Sequence, residues 1–362
     1  MKTRIPTTLL TAVAALTVMA MPGTASASVF GSLGNFDVVN DTGHTAHGFE
    51  IELEDLHLGD VSDVFGGPGR GFPTGRGFDP ANSVERYGAP VISEYNNGVT
   101  FGVHVTYSGL FNGLAWDFGT PSGAFVTPGD NCWSGGGVGY GAGTPCDHFG
   151  VGTIKTPTKT NYNWLLETDP ASAVLTKAGI NLPAPVWQVI PDPANVAAPP
   201  QVVAHIAAPE AEVEGQFGDA LWVKVFTTEL EDAPGLEDLI GGNPAVDLAE
   251  TEIEWQLLQT DPNNPLKGLL ELGLGAPVGA NAKAVVRRYE FFEYIGAYNP
   301  EDHEALVIDD SNPLDSELGH YLGAQNAALN LAAVPVPSTV LLLGSSLIGL
   351  AGLMRRAHRQ AP

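Results

Sequence analysis

The stretch Phe49-Glu50-Ile51-Glu52-Leu53-Glu54 alternates apolar and acidic residues without a break. In an extended chain successive side chains point to opposite faces, so Phe49, Ile51 and Leu53 fall on one side and the three glutamates on the other. A helix would scatter the same residues around its circumference. The segment therefore predicts a strand with one face toward a core and one solvated face.

The period of two recurs along the chain. Val99 to Tyr107 places Val99, Phe101, Val103, Val105 and Tyr107 together. Ala220 to Phe226 and Thr251 to Leu257 repeat the pattern, and Val285 to Tyr294 is a long β-prone run carrying Arg287 and Arg288. Turn-forming residues separate these segments: Asn96-Asn97-Gly98, Pro128-Gly129-Asp130 and Asp261-Pro262-Asn263-Asn264-Pro265. Short alternating strands with Gly and Pro punctuation predict a mainly β chain built from antiparallel β-sandwiches of immunoglobulin or fibronectin type.

Two such domains are expected, at 28–185 and 186–330. Six prolines (Pro183, Pro185, Pro191, Pro193, Pro199 and Pro200) crowd around Trp187 at the boundary. They read either as a linker or as the approach into an ordered strand. Leu236 to Ile240 and Glu317 to Asn330 are the helix candidates, and Asn330 to Val334 is expected to be a flexible tether. Trp164 to Pro170 is echoed by Trp255 to Pro262, a match short enough to arise by chance or from a duplication, with each copy ending a strand at an Asp-Pro turn.

The formal charge is −25, from 41 acidic and 16 basic residues. Five of the basic residues lie at the two ends (Lys2, Arg4, Arg355, Arg356 and Arg359), leaving 11 against 41 acids between them. Such a body repels nucleic acid and anionic lipid. At the start, Lys2 and Arg4 precede an apolar run from Leu9 to Met21, and Ala25-Ser26-Ala27 offers a small-residue cleavage site before Ser28. This order reads as a secretory signal peptide over 1–27, engaged by the general secretion machinery. The mature chain is then expected outside the cytoplasm, where disulfides persist.

At the other end Val334-Pro335-Val336-Pro337-Ser338 precedes sixteen uncharged residues, 339–354, and then Arg355, Arg356 and Arg359. As a hydrophobic helix the run would span about 24 Å, against a hydrocarbon core of about 30 Å. The arginines resist translocation and would stay cytoplasmic. The tail, 331–362, resembles a PEP-CTERM sorting signal of exported Gram-negative bacterial proteins, with Val336 where that signal usually carries glutamate. The resemblance implies processing by an exosortase, a membrane-tethered precursor, release or transfer to the cell surface, and a biofilm or exopolysaccharide setting. An ordinary C-terminal anchor is the plain alternative.

Few residues point to chemistry. Cys132 and Cys146 are the only cysteines and flank a Gly-rich loop; an even count in an exported chain predicts one disulfide. A Cys132, Cys146 and His148 metal site lacks a fourth ligand at a usual spacing. His44 and His47 would point to opposite faces of a strand. His47 and Ser134 appear in the order of a chymotrypsin-like enzyme, but the serine box is interrupted. Glu50, Glu52 and Glu54 form a row on one strand, more simply a solvated face than the two carboxylates across a cleft that glycoside cleavage needs. Asp302, Glu304, Asp309, Asp310, Asp315 and Glu317 could collect calcium, but no calcium-loop pattern assigns it. No catalytic set, metal ligand or cofactor is assigned. The expected function is a non-enzymatic surface or extracellular-matrix protein; the rivals are a secreted polysaccharide hydrolase and a carbohydrate- or calcium-dependent adhesion module.

Overall fold

A computed structural model describes residues 29–39, 42–44, 46–68, 87–116, 146–170, 172–180, 182–190, 192, 194, 198–239, 251–264, 278–279 and 281–331. The signal segment with Ala25, Ala27 and Ser28, the motif Val334 to Ser338, the run 339–354, Arg355, Arg356, Arg359, Cys132 and Ser134 lie outside these residues. Cys146 opens a strand.

The chain is mainly β and its sheets are antiparallel. The strands are β1 (Val29–Val39), β2 (Ala46–Glu54), β3 (Val61–Val64), β4 (Val91–Asn96), β5 (Phe101–Ser108), β6 (Cys146–Thr153) and β7 (Thr160–Leu166). They continue as β8 (Thr176–Gly179), β9 (Val186–Ile190), β10 (Gln201–His205), β11 (Leu221–Leu230), β12 (Thr251–Leu258), β13 (Ala284–Tyr294) and β14 (Leu318–Leu331). A five-stranded sheet runs β4-β5-β2-β7-β8, a seven-stranded sheet runs β12-β11-β13-β14-β1-β6-β3, and β9 pairs with β10.

The opening alternation places β2 at the centre of the five-stranded sheet. Phe49, Ile51 and Leu53 are fully or almost fully buried and meet Val103, Val105 and Tyr107 of β5 and Tyr162 and Trp164 of β7. The same core takes in Phe149 and Val151 of β6, Leu221, Val223 and Val225 of β11, and Tyr289 and Phe291 of β13. Phe49 stacks on Phe149 with ring centroids 3.8 Å apart, so one apolar core draws on both large sheets. Val99 departs from expectation. It is 92% exposed in the turn before β5, where its amide donates to Asn97 Oδ1.

The seven-stranded sheet is buried on its second face as well. Trp222, Phe292, Tyr294, Tyr321 and Ala324 pack there against Ala305 and Tyr298. Farther along, Val286 and Ala328 pack against Phe65, Leu236 and Leu239. Double burial explains why β13 is buried at nearly every position rather than at alternate ones. Gly150 of β6 permits this packing, because a Cβ there would come within 2.6 Å of the Phe65 ring.

The expected division into two domains and the expected helix over Glu317 to Asn330 are corrected. The expected division between residues 185 and 186 is crossed by the larger sheet, because β1 lies between β14 and β6, and Ala27–Val334 forms one compact unit. The proline-rich span holds strand β9, whose Trp187 is buried in the shared core. Glu317 to Asn330 is not helical. Its Ala and Leu residues have good helix propensity, but β14 bonds to β13 on one side and β1 on the other, and tertiary pairing overrides local preference. Asn330 therefore belongs to β14 rather than to a tether. At the other helix candidate, Leu236–Leu239 forms one turn of 3-10 helix.

Candidate functional site

The solvent-side face of the five-stranded sheet carries the most concentrated chemistry among the described residues. Outward positions alternate with the buried ones, so Glu50 and Glu52 of β2 share a face with His104 and Thr106 of β5. The register pairs Glu50 with Thr106 and Glu52 with His104. Glu50 is not a solvated residue, contrary to the sequence reading, because only 5% of it is exposed. Its carboxylate accepts hydrogen bonds from Thr106 Oγ1 at 3.1 Å and from Lys177 Nζ of β8. His104 Nε2 lies 4.0 Å from Glu52 Oε1. The Tyr95 ring of β4 stacks on His104 with centroids 4.3 Å apart and planes 13° from parallel. Burial, followed by a hydrogen bond to Glu52 and the charges of Glu52 and Glu54, pushes the Tyr95 hydroxyl pKa above its ordinary value. Glu50, Glu52 and His104 offer donor atoms all within 4.8 Å of one another.

His47, near the start of β2, is 5% exposed, and its Nε2 lies 2.8 Å from Glu167 Oε2. Its Nδ1 is buried without a partner, and Trp116 stacks at a centroid distance of 6.5 Å. A histidine enclosed in this way ties β2 to the end of β7 and offers no open nitrogen to a substrate. His44 sits in the preceding bend, exposed.

The acids of the 295–318 segment act as local caps. Asp302 Oδ1 accepts from the Glu304 amide, Asp309 Oδ1 from the Ser311 amide and hydroxyl, and Glu317 Oε2 from the Leu314 amide. The Ser311 bonds hold the Asp309 pKa below its ordinary value. The six acids proposed for calcium do not converge: among the described residues the one cluster with metal-ligand spacing is Glu50, Glu52 and His104.

Two charges of β13, Arg287 buried and Arg288 half-buried, were given no role by the sequence reading. Arg287 is 2% exposed, donates from Nη2 to the Val202 carbonyl at 3.2 Å, and lies 5.8 Å from the Trp187 ring centroid. Burial lowers its pKa, opposed by Tyr289 and by Glu254 and Glu252. On the other face Arg288 Nε donates to Glu290 Oε1 at 2.9 Å and Nη1 to Asn326 Oδ1 at 3.1 Å. Their positions in the run were visible, but the burial of Arg287 and the pairing of Arg288 depend on neighbouring strands and on what covers the sheet. A cleft lined by residues including Tyr162, Trp187 and Gln325 measures about 30 Å³, far below the roughly 300–1,000 Å³ of ligand pockets.

Comparisons with protein families, with curated proteins and with solved structures found no match. Among the described residues no helix is long and apolar enough to cross a membrane.

Proposed function

We propose that this is an exported, non-enzymatic surface or extracellular-matrix protein whose two large sheets pack as a β-sandwich, and whose tail is processed by an exosortase. The observation that carries the reading is the order of features from Val334 to Arg359: a Pro-containing motif, a sixteen-residue uncharged run and an arginine cluster. The signal-like segment ending at Ala25-Ser26-Ala27 supports it.

The fold is compatible with processing at both ends. β1 begins at Val29, one residue beyond Ser28, and β14 ends at Leu331, three residues before Val334. Val29 and Leu331 are register partners, so the start of β1 and the end of β14 lie side by side. In this reading the secretion machinery delivers the chain, the apolar run holds it in the inner membrane, and the arginines keep the tail oriented. Pro335 and Pro337 keep the motif extended for cleavage. The acidic body then reaches the cell surface or medium, with extracellular polysaccharide as its associated material and no nucleic-acid partner.

Mass spectrometry of both termini, on protein from a host with an exosortase, tests the reading. The expected product begins near Ser28 and ends within or next to Val334–Ser338. Replacing Pro335 and Pro337 should leave a membrane-bound precursor, and neutralising Arg355, Arg356 and Arg359 should impair retention and cleavage. Intact termini on surface-exposed protein, or normal processing of both variants, would overturn it.

A further inference from the structure

The fold brings together a donor set that export does not require. Glu50 and Glu52, two apart on β2, direct their carboxylates to one face, and the β2–β5 register sets His104 opposite Glu52. Three donor atoms within 4.8 Å of one another need only small side-chain rotations to reach the roughly 3.3 Å ligand separations of a tetrahedral ion with bonds near 2.0–2.1 Å. The Glu52 and His104 side chains are 22% and 23% exposed, so an ion and its remaining water ligands can enter from solvent.

Two neighbours bear on ion binding. Lys177 Nζ neutralises Glu50 and competes with an ion for it, but its side chain is half exposed and can swing away. Tyr95 stacks on His104 and fixes the plane of the imidazole, while its hydroxyl interacts with Glu52. An outer group of this kind can orient a ligand or a metal-bound water.

We propose that Glu50, Glu52 and His104 form a binding site for a first-row divalent transition ion of the zinc class. Imidazole with carboxylate suits zinc or manganese, whereas calcium takes about six to eight oxygen ligands. The site lies on the sheet's outer face, and the ion would clamp β2 to β5. It is independent of how the tail is processed.

Calorimetric titration of the purified chain with Zn²⁺ in a non-chelating buffer tests the site, with Co²⁺ visible absorption as a second readout. One ion should bind at this site, and calcium in excess should not displace it. Glu52→Gln and His104→Ala should each weaken it by at least about 10-fold and remove the cobalt band, with unchanged circular dichroism confirming the fold. Lys177→Met, which removes the competing ammonium, should tighten binding. Absence of stoichiometric binding, binding unchanged in both ligand variants, or weaker binding in Lys177→Met would each overturn the assignment.

Discussion

Arg288→Met should destabilise the protein far more than a partly exposed ion pair would suggest. Glu290 is 0% exposed and its Oε1 is held by Arg288, while its Oε2 has no partner. Removing the guanidinium leaves a carboxylate enclosed between the apolar clusters on the second face of the seven-stranded sheet. Breaking a buried pair from one side costs about 3–5 kcal/mol, most of it the desolvation of the abandoned charge. The reverse change should be milder. In Glu290→Met, Arg288 keeps Asn326 as an acceptor and its side chain is 18% exposed, so the cost should be about 1–2 kcal/mol. The double variant Arg288→Met/Glu290→Met removes both charges and should be more stable than Arg288→Met alone, giving a coupling of about 2–3 kcal/mol. Equilibrium urea unfolding of the three variants and the parent, at matched slopes, reads these values. Lys224, the register partner of Glu290 on β11, sets the limit. Its ammonium lies 4.8 Å from the Phe226 ring centroid, and a loss below about 1 kcal/mol in Arg288→Met would mean that Lys224 or solvent reaches Glu290, refuting the desolvation argument.

Three further outcomes follow from named contacts. Gly102→Ala places a Cβ 2.2 Å from the Leu53 carbonyl oxygen, so β2 and β5 must separate; a loss of about 1–3 kcal/mol in thermal or urea unfolding is expected. Phe149→Ala removes a fully buried ring stacked on Phe49 and should cost about 3–5 kcal/mol by the same assay. Asp60 accepts bonds from Lys155 Nζ and the His57 amide, which hold its carboxyl below the usual range. Its contribution is therefore complete above the unfolded value near pH 4 and is lost as the pH falls through the depressed folded value. Asp60→Asn should cost about 1 kcal/mol at pH 7 and progressively less in acid, measured as urea midpoints across pH 2–7.

The acidic outer face shows how far local reading reaches. Alternation put Glu50 and Glu52 on one side of β2, yet it assigned them to water. The burial of Glu50 comes from Thr106 and Lys177 on neighbouring strands 56 and 127 residues away in sequence. Nothing near residue 50 announces either partner. His104 likewise sits on the outward face of β5 by its own alternation, but only the β2–β5 register sets it opposite Glu52. The segment Glu317 to Asn330 failed for a related reason. Its Ala and Leu residues favour helix by only tenths of a kilocalorie each, whereas a strand in that place completes hydrogen bonding with two neighbours at once.

By itself the sequence determined the β character, the strands β2, β5, β11, β12 and β13, and which faces of β2 and β5 meet the core, because a period of two is a local property of covalent geometry. The tertiary structure alone decided that the first and last strands lie side by side, that the two halves share one sheet, and that Glu50, Glu52 and His104 converge. Strand order and register depend on long-range pairing, whose energy is spread over many residues and leaves no mark on any single stretch of chain.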